Sequence, residues 1–367
     1  MSIQKLNLLN FKNLTQVEVE FSEGINCIVG NNGSGKTNLI DAIYYLSFCK
    51  SFINPIDSQN INFNSDHFML HANYLIDERD EEVACTLKKG QKKLFKRNKK
   101  DYERLSDHIG HFPLVVISPS DEELINGASE ERRRYMDSVI SQFDRHYLNA
   151  IIRYARLVLQ RNSLIKSSNG TINSTILDVY DDQLVDLCRI IFETRRQFVT
   201  ELLPIFQNYY SILSSERETV GIEYKSQYNV PDFHAVVRGA RERDMLVGHT
   251  TKGIHRDELE FTLASHPIRK YGSQGQKKSY LIALKLAHLD YLSAKIGRVP
   301  MLLLDDIFDK LDQTRGKQLI QLVSQTNFAQ IFITDTQQER LTSIVKSTGK
   351  PYKVFSVDNG VVKSEFK

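Results

Sequence analysis

The sequence has no tryptophan and only four cysteines and eight prolines in 367 residues. The cysteines, Cys27, Cys49, Cys85 and Cys188, are scattered and form no C-x-x-C pair, so neither a disulfide framework nor a zinc site is indicated. A reducing cytoplasm is the expected location. No run approaches the roughly 18 apolar residues that span a bilayer, and the opening MSIQKLNLLNFKNL has no apolar signal core. The expectation is a soluble, unprocessed chain with no membrane partner. Charge of one sign is lacking as well. Lys and Arg number 48 against 45 Asp and Glu, a balance too even to argue for nucleic acid alone, although the basic excess falls in the last third. What is present is core-forming material: 41% hydrophobic residues, with 19 Phe and 16 Tyr. Disordered, collagenous and rod-like chains are excluded, and the length suggests two domains or one elaborated domain.

Residues 1–117 read as strand-rich. Ile3 to Leu9 and VEVEF at 17–21 come first, and the continuous apolar run INCIVG at 25–30 predicts a buried strand. A glycine-rich turn and a helix from Lys36 to about Phe48 follow, then strands at 67–76, 82–89 and 114–118. Over 118–243 the period turns helical, with a polar break at 166–175. From 244 to 367 strand and helix alternate again: ELEFTLA at 258–264, a helix over about 276–294, MLLLDD at 301–306, a helix near 313–325, and IFITD at 331–335. Alternation of this kind implies parallel strands. The expected fold is α/β, one domain split into 1–117 and 244–367, with an all-helical domain inserted at 118–243.

Gly30-Asn31-Asn32-Gly33-Ser34-Gly35-Lys36-Thr37 satisfies G-x-x-x-x-G-K-S/T between a predicted buried strand and a predicted helix. Glycines let consecutive N–H groups curl round phosphate oxygens, and the helix N-terminus adds partial positive charge. Lys36 would reach the β- and γ-phosphates and Thr37 would ligate magnesium, with Asn38 counted among the nucleotide-binding residues. The bland alternative is a chance glycine-rich turn. A second feature argues against it: Met301 to Leu304 lead into Asp305 and Asp306, carboxylates at the end of a predicted parallel strand. Asp305 would hold Mg2+ and Asp306 would act as general base on the attacking water. Lys36, Asp305 and Asp306 are therefore the catalytic candidates, with ATP and Mg2+ as cofactors.

Between these halves lies Tyr271-Gly272-Ser273-Gln274-Gly275-Gln276-Lys277-Lys278, a glycine-rich turn opening a helix. It resembles the signature motif of ABC-type ATPases. The resemblance implies an ABC-type P-loop ATPase head with mixed sheets, in which Ser273, Gly275 and Gln276 of one copy cap the nucleotide of another in an ATP-dependent homodimer. The alternative is an ordinary helix start with Ser273 as N-cap. A closer resemblance, to the RecF family of recombination mediators, runs through almost the whole chain. It is carried by GNNGSGKTNLIDAIYYLSFCKSF at 30–52, SPSDEELINGASEERRRYMD at 118–137, RNSLIK at 161–166, GIHRDELEF at 253–261, SQGQKK and LLLDDIFDKLD at 302–312. It implies a slow, DNA-stimulated ATPase that binds duplex DNA at single-strand/duplex junctions and works with RecR and RecO to load a recombinase. Asp312 takes the D-loop place. Two departures stand out. Ile333-Thr334-Asp335-Thr336 occupies the place of a switch histidine, and the base is Asp306 rather than glutamate, which suggests a switch rather than a motor. No glutamine marks a Q-loop, and the turn Ser118-Pro119-Ser120-Asp121 is the candidate. The competing reading is an SMC-like structural chromosome ATPase. It is disfavoured because no sustained heptads are present.

Three further features stay open. Lys88, Lys89, Lys92, Lys93, Lys96, Arg97, Lys99 and Lys100, interleaved with Leu94 and Phe95, read either as a DNA-backbone contact or as a solvated strand pair. Arg132, Arg133 and Arg134 read as helix-surface ion pairs or as DNA or nucleotide sensors. His255-Arg256-Asp257 matches a kinase catalytic-loop string, but ELEFTLA follows and the kinase reading fails; a structural turn with Arg256 near nucleotide remains.

Overall fold

The structure is a computed structural model that describes residues 1–167, 174–214, 218–307, 322 and 330–365. The chain forms two compact units, Met1–Ser120 with Leu292–Lys367, and Asp121–Tyr291.

In the first unit the apolar runs become the middle of a parallel sheet. Ile25–Val29, Ile331–Asp335 and Met301–Leu304 are buried at every position, as strands covered on both faces must be. The sheet runs in the order Val361–Glu365, Tyr352–Asp358, Ile25–Val29, Ile331–Asp335, Met301–Leu304, Leu114–Ile117. Only the first of these pairings is antiparallel. The second sheet is antiparallel: Leu14–Glu20, Ser2–Phe11, His67–Ile76, Arg79–Lys88, Leu94–Arg97, Lys100–Asp101. Leu14, Val17 and Val19 point into the core while Thr15, Gln16, Glu18 and Glu20 point out, the half-buried alternation expected of such a sheet. The helix Lys36–Phe48 is buried along almost its whole length. Its Tyr45 meets Phe11 and Phe68 edge-on at 5.9 and 5.5 Å, joining the helix to the antiparallel sheet.

The same core holds His108, fully buried, stacked on Phe112, with Nε2–H donated to the Leu46 carbonyl oxygen at 2.6 Å. Burial pushes its pKa down from 6.5 to about 4. A folded-state pKa below the unfolded one leaves stability intact above pH 6.5 and withdraws it as pH falls toward 4. At pH 5 the linkage is worth about 2 kcal/mol. Urea unfolding of the parent and of His108→Gln at pH 7 and pH 5 should show the parent losing about 2 kcal/mol more than the variant. A difference between the two that is the same at both pH values would mean that His108 is not buried neutral.

The second unit is built on the helices Ser129–Ile140, Arg145–Ser167 and Ser174–Ser214. The buried positions Tyr147, Ala150, Tyr154, Leu157, Arg161 and Ile165 recur at helical spacing along one face. Of the break expected at 166–175, residues 166–167 and 174–175 are helical and 168–173 lie outside the described residues. Asp312 and the helix expected near 313–325 lie outside them too, apart from residue 322.

The division expected at 243/244 differs from the packing, because residues 244–291 fold with the helices rather than with the head. Fully buried Arg161 pairs with Asp181 at 2.9 Å and with Asp244 at 2.7 Å, and fully buried Arg195 pairs with Asp257 at 3.0 Å. Splitting the chain at 243/244 would strand these charges without partners. The insert also is not wholly helical. Val220–Lys225 pairs with Glu258–Leu263, which pairs in turn with His266–Pro267, in a three-stranded antiparallel sheet. Strand and helix alternation reports element type; it does not report which core an element joins.

Candidate functional site

The strand Ile25–Val29 delivers the chain to the glycine-rich loop, and the helix Lys36–Phe48 starts where that loop ends. Gly35, the residue before the helix, sits at φ 118, and Gly33 at φ 78, backbone conformations that favour glycine. Lys36 is buried and folds back over the loop, its Nζ donating to the carbonyl oxygens of Gly30 and Asn31 at 2.9 and 3.1 Å. The ammonium is thereby held over the hollow of the loop. A cavity of about 270 Å3 opens there, lined by Asn32, Gly33, Gly35, Lys36, Thr37, Asn38 and Asp306.

The acidic pair enters from the Met301–Leu304 strand, two places from Ile25–Val29 in the sheet order. The Thr37 hydroxyl donates to Asp305 Oδ1 at 3.0 Å. Thr334, at the end of the intervening strand, donates its hydroxyl to the same oxygen at 2.9 Å and accepts the Asp306 N–H at 2.8 Å. Burial raises the Asp305 carboxyl above the usual carboxylate range; the hydroxyls of Thr334 and Thr37 oppose the rise and Asp306 adds to it. Asp306 has φ 46, a left-handed conformation that Asp and Asn tolerate better than most residues.

A hydroxyl and a carboxylate oxygen at this separation are the hard donors magnesium takes. Among the described residues no group of three or more His, Cys, Asp or Glu forms a cage. Magnesium that completes its shell with phosphate oxygens and water needs no such cage, so the donor set fits it.

Two residues that no sequence motif marks tie this site together. Thr334 lay inside a tetrapeptide noted only for its missing histidine. Asn13, in the turn between the first two strands, donates Nδ2–H to the carbonyl oxygens of Gly33 and Ser34 at 3.3 and 3.2 Å, and its Oδ1 accepts from Asn38 at 2.7 Å. The Asn38 side chain is thus engaged with Asn13 at the cavity rim. Gly360 N–H supports the loop from the other side through the Ser34 carbonyl at 2.9 Å. The Q-loop candidate starts beside the acidic strand, since the Ile117 carbonyl just before Ser118 accepts the Asp305 N–H at 2.8 Å.

The signature candidate belongs to the second unit. Ser273 is exposed and caps the helix Gln274–Ile296: Gln276 N–H donates to its Oγ, and Gln276 Oε1 accepts the Ser273 N–H, a reciprocal capping box. Gln276 also donates Nε2–H to Glu218. The basic stretch divides. Lys93 is structural, donating to the Tyr45 hydroxyl, the Cys49 carbonyl and Asp57 at 3.0, 2.6 and 2.7 Å. Arg97 pairs with Glu81, Lys96 with Asp101 and Lys88 with Asp66. Lys89, Lys92, Lys99 and Lys100 are exposed.

A phosphate-binding loop under a mixed sheet, an acidic pair on a strand two places away and a separate unit presenting a capped serine together define the class: an ABC-type, ATP-binding ATPase head. The model for the RecF/RecN/SMC N terminal domain matches residues 2–363. The DNA replication and repair protein RecF of Bacteroides thetaiotaomicron is 50% identical over 363 residues, which cover 99% of this chain and 98% of that protein. A solved structure of the recombination mediator protein RecF with ATP, from the RecFOR pathway, aligns at TM-score 0.90 and 27% identity over 99% of this chain and 97% of that one. A SmcHead bound to the C-winged helix domain of ScpA aligns at TM-score 0.60 and 16% identity, covering 100% and 98%, a likeness of fold. The chain belongs to the RecF family of DNA replication and repair proteins.

Proposed function

We propose that the chain is an ATP-gated clamp on DNA. ATP would occupy the cavity over Lys36, and Thr37 and Asp305 would hold Mg2+, which would supply neutralisation of phosphate charge. Ser273, Gly275 and Gln276 of a second copy then close on the γ-phosphate, with Asp312 communicating across the interface. The closed homodimer grips duplex DNA near single-strand gaps through phosphate contacts. It cooperates with RecR and RecO to load the recombinase in the cytoplasm. Hydrolysis, DNA-stimulated and slow because Asp306 supplies a shorter base than glutamate, releases the grip. ATP stabilises a dimer only through contacts that the monomer does not make, which is the role a signature serine would fill.

The observation that carries this reading is the tie among Thr37, Asp305 and Thr334, which brings a hydroxyl and a carboxylate oxygen, donors of the kind magnesium takes, beside the phosphate loop. Support comes also from the RecF relatives, whose likeness covers nearly the full chain.

Sedimentation tests it. With ATP and magnesium the parent should shift from monomer to dimer and bind a gapped duplex. Ser273→Arg, which puts a bulky cation at an exposed helix start, should bind ATP with the parent's affinity yet stay monomeric. A parent that remains monomeric and ignores DNA while hydrolysing ATP would sink the clamp. Ser273→Arg dimerising like the parent would sink the signature assignment.

A further inference from the structure

Two arginine-containing motifs of the second unit lie outside the machinery described above, and their members are treated unequally. Arg132 is buried and bonds Glu258 through Nε at 2.7 Å and Nη2 at 3.1 Å. Arg134 points outward and pairs with Glu130 and Glu131 of its own helix. Arg133, between them, makes one hydrogen bond, from Nη1 to the backbone carbonyl of Asp257 at 2.8 Å, and has no ion pair with a described residue. The carboxylates whose fields reach it are Glu258, Glu130 and Asp257. Each is already engaged: Glu258 by Arg132, Glu130 by Arg134 and Asp257 by Arg195. Arg133 is therefore a half-buried cation whose neighbouring carboxylates each already pair with another arginine.

The His255-Arg256-Asp257 turn is clamped on both sides of its arginine. Asp257 Oδ2 accepts from Arg195 at 3.0 Å and from the Tyr224 hydroxyl. His255 Nδ1 meets the Tyr154 hydroxyl at 2.6 Å. Just before it, Gly253 at φ 138 lies so close to the helix that a Cβ would stand 2.2 Å from the Tyr154 oxygen. Arg256, held between these anchors with its N–H donated to the Gly253 carbonyl at 3.0 Å, is exposed, and its side chain makes no hydrogen bond or ion pair with a described residue. The turn brings the two arginines together: Arg133 is bonded to the carbonyl of Asp257, the residue next to Arg256.

The Arg133 guanidinium is bonded to the backbone of the residue that follows Arg256, so a clamped turn gathers two cationic side chains at one place, and the carboxylates around Arg133 already hold other arginines. We infer that Arg133 and Arg256 form a phosphate-binding site in the second unit. Arginine's planar fork suits a phosphate's paired oxygens, and the fixed turn spares the ligand the cost of ordering it. The inference rests on the proposed DNA clamp for its favoured source, a backbone phosphodiester of duplex DNA. The terminal phosphate of a nucleotide shares the same chemistry.

Fluorescence anisotropy of a labelled gapped duplex, titrated with the full chain at several salt concentrations, is the test. Arg256→Ala should weaken binding roughly 3- to 10-fold near 0.15 M salt and lower the slope of log affinity against log salt by about one contact. Arg256→Lys should recover part of the loss, and Arg134→Ala, whose charge is already paired, should match the parent. ATPγS titration separates the sources. If it is unchanged in Arg256→Ala, the phosphate is DNA's; if it weakens while the duplex curve holds, the phosphate is a nucleotide's. An Arg256→Ala protein that matches the parent in both titrations, with an unchanged thermal midpoint, overturns the site. A parent that binds no duplex overturns the clamp reading instead, and the nucleotide titration then decides the site alone.

Discussion

Lys36→Ala should lower the steady-state ATPase rate by roughly 10²- to 10³-fold, the loss measured when one preorganised donor to a developing charge is removed. The geometry makes the lysine hard to replace. Its ammonium is positioned by two loop carbonyls, Gly30 and Asn31, which leave one proton of the three to point into the cavity. A phosphate arriving there meets a charged donor already oriented, and charge-assisted bonds of that kind are worth about 1.5–3 kcal/mol each. Fluorescent-nucleotide titration should therefore show binding at least roughly tenfold weaker as well. Fold stability should change little, about 1 kcal/mol, because the carbonyls it leaves border an open cavity and rehydrate. Lys36→Arg separates charge from shape. A planar guanidinium cannot sit between the same two carbonyls and still aim one donor at the loop, so the conservative variant should lose most of the rate too. A folded Lys36→Ala protein that hydrolyses ATP within threefold of the parent would show that this cavity is not where the chemistry happens.

The parts legible in the sequence are those whose cause is local. INCIV, MLLL and IFITD are covered on both faces, so their burial is written as uninterrupted apolar runs. The phosphate loop is written as glycines because its backbone needs positive φ at Gly33 and Gly35. The Tyr352–Asp358 and Val361–Glu365 hairpin is written in its turn. Asn359-Gly360, both at positive φ, is the dipeptide that two-residue hairpin turns favour. Val220–Lys225 had no comparable mark, being a short strand whose partner lies across the helical segment's end.

What the sequence concealed is relational. Thr334 matters because Asp305 and Asp306 end a neighbouring strand in matching register, Leu304 opposite Ile333. Asn13 matters because the first hairpin turns back onto the phosphate loop. Arg161 and Arg195 are buried among aspartates by the fold, a setting that no local pattern marks. Each depends on residues far away in the chain, and neither composition nor spacing encodes such a pairing.

The same logic bears on Asp306→Asn, expected to cut hydrolysis by roughly 10²- to 10³-fold while leaving ATP binding intact. The substitution is nearly isosteric, and asparagine tolerates the left-handed φ of 46 as well as aspartate does, so the backbone and the Asp306 N–H bond to Thr334 should survive. What disappears is the carboxylate that would take the proton of the attacking water. Loss of that neighbouring negative charge also removes one of the influences that raise the Asp305 carboxyl, so the carboxylate proposed to hold magnesium becomes more readily ionised. Binding and chemistry should therefore separate: unchanged or tighter nucleotide affinity in equilibrium titration, and a single-turnover hydrolysis rate that collapses. Sedimentation with ATP, magnesium and gapped duplex should find the variant held as a DNA-bound dimer long after the parent has turned over and dissociated. If Asp306→Asn hydrolyses at the parental rate, the proton acceptor lies elsewhere. If it fails to bind nucleotide, Asp306 belongs to the binding shell, and release of the clamp is not timed by that carboxylate.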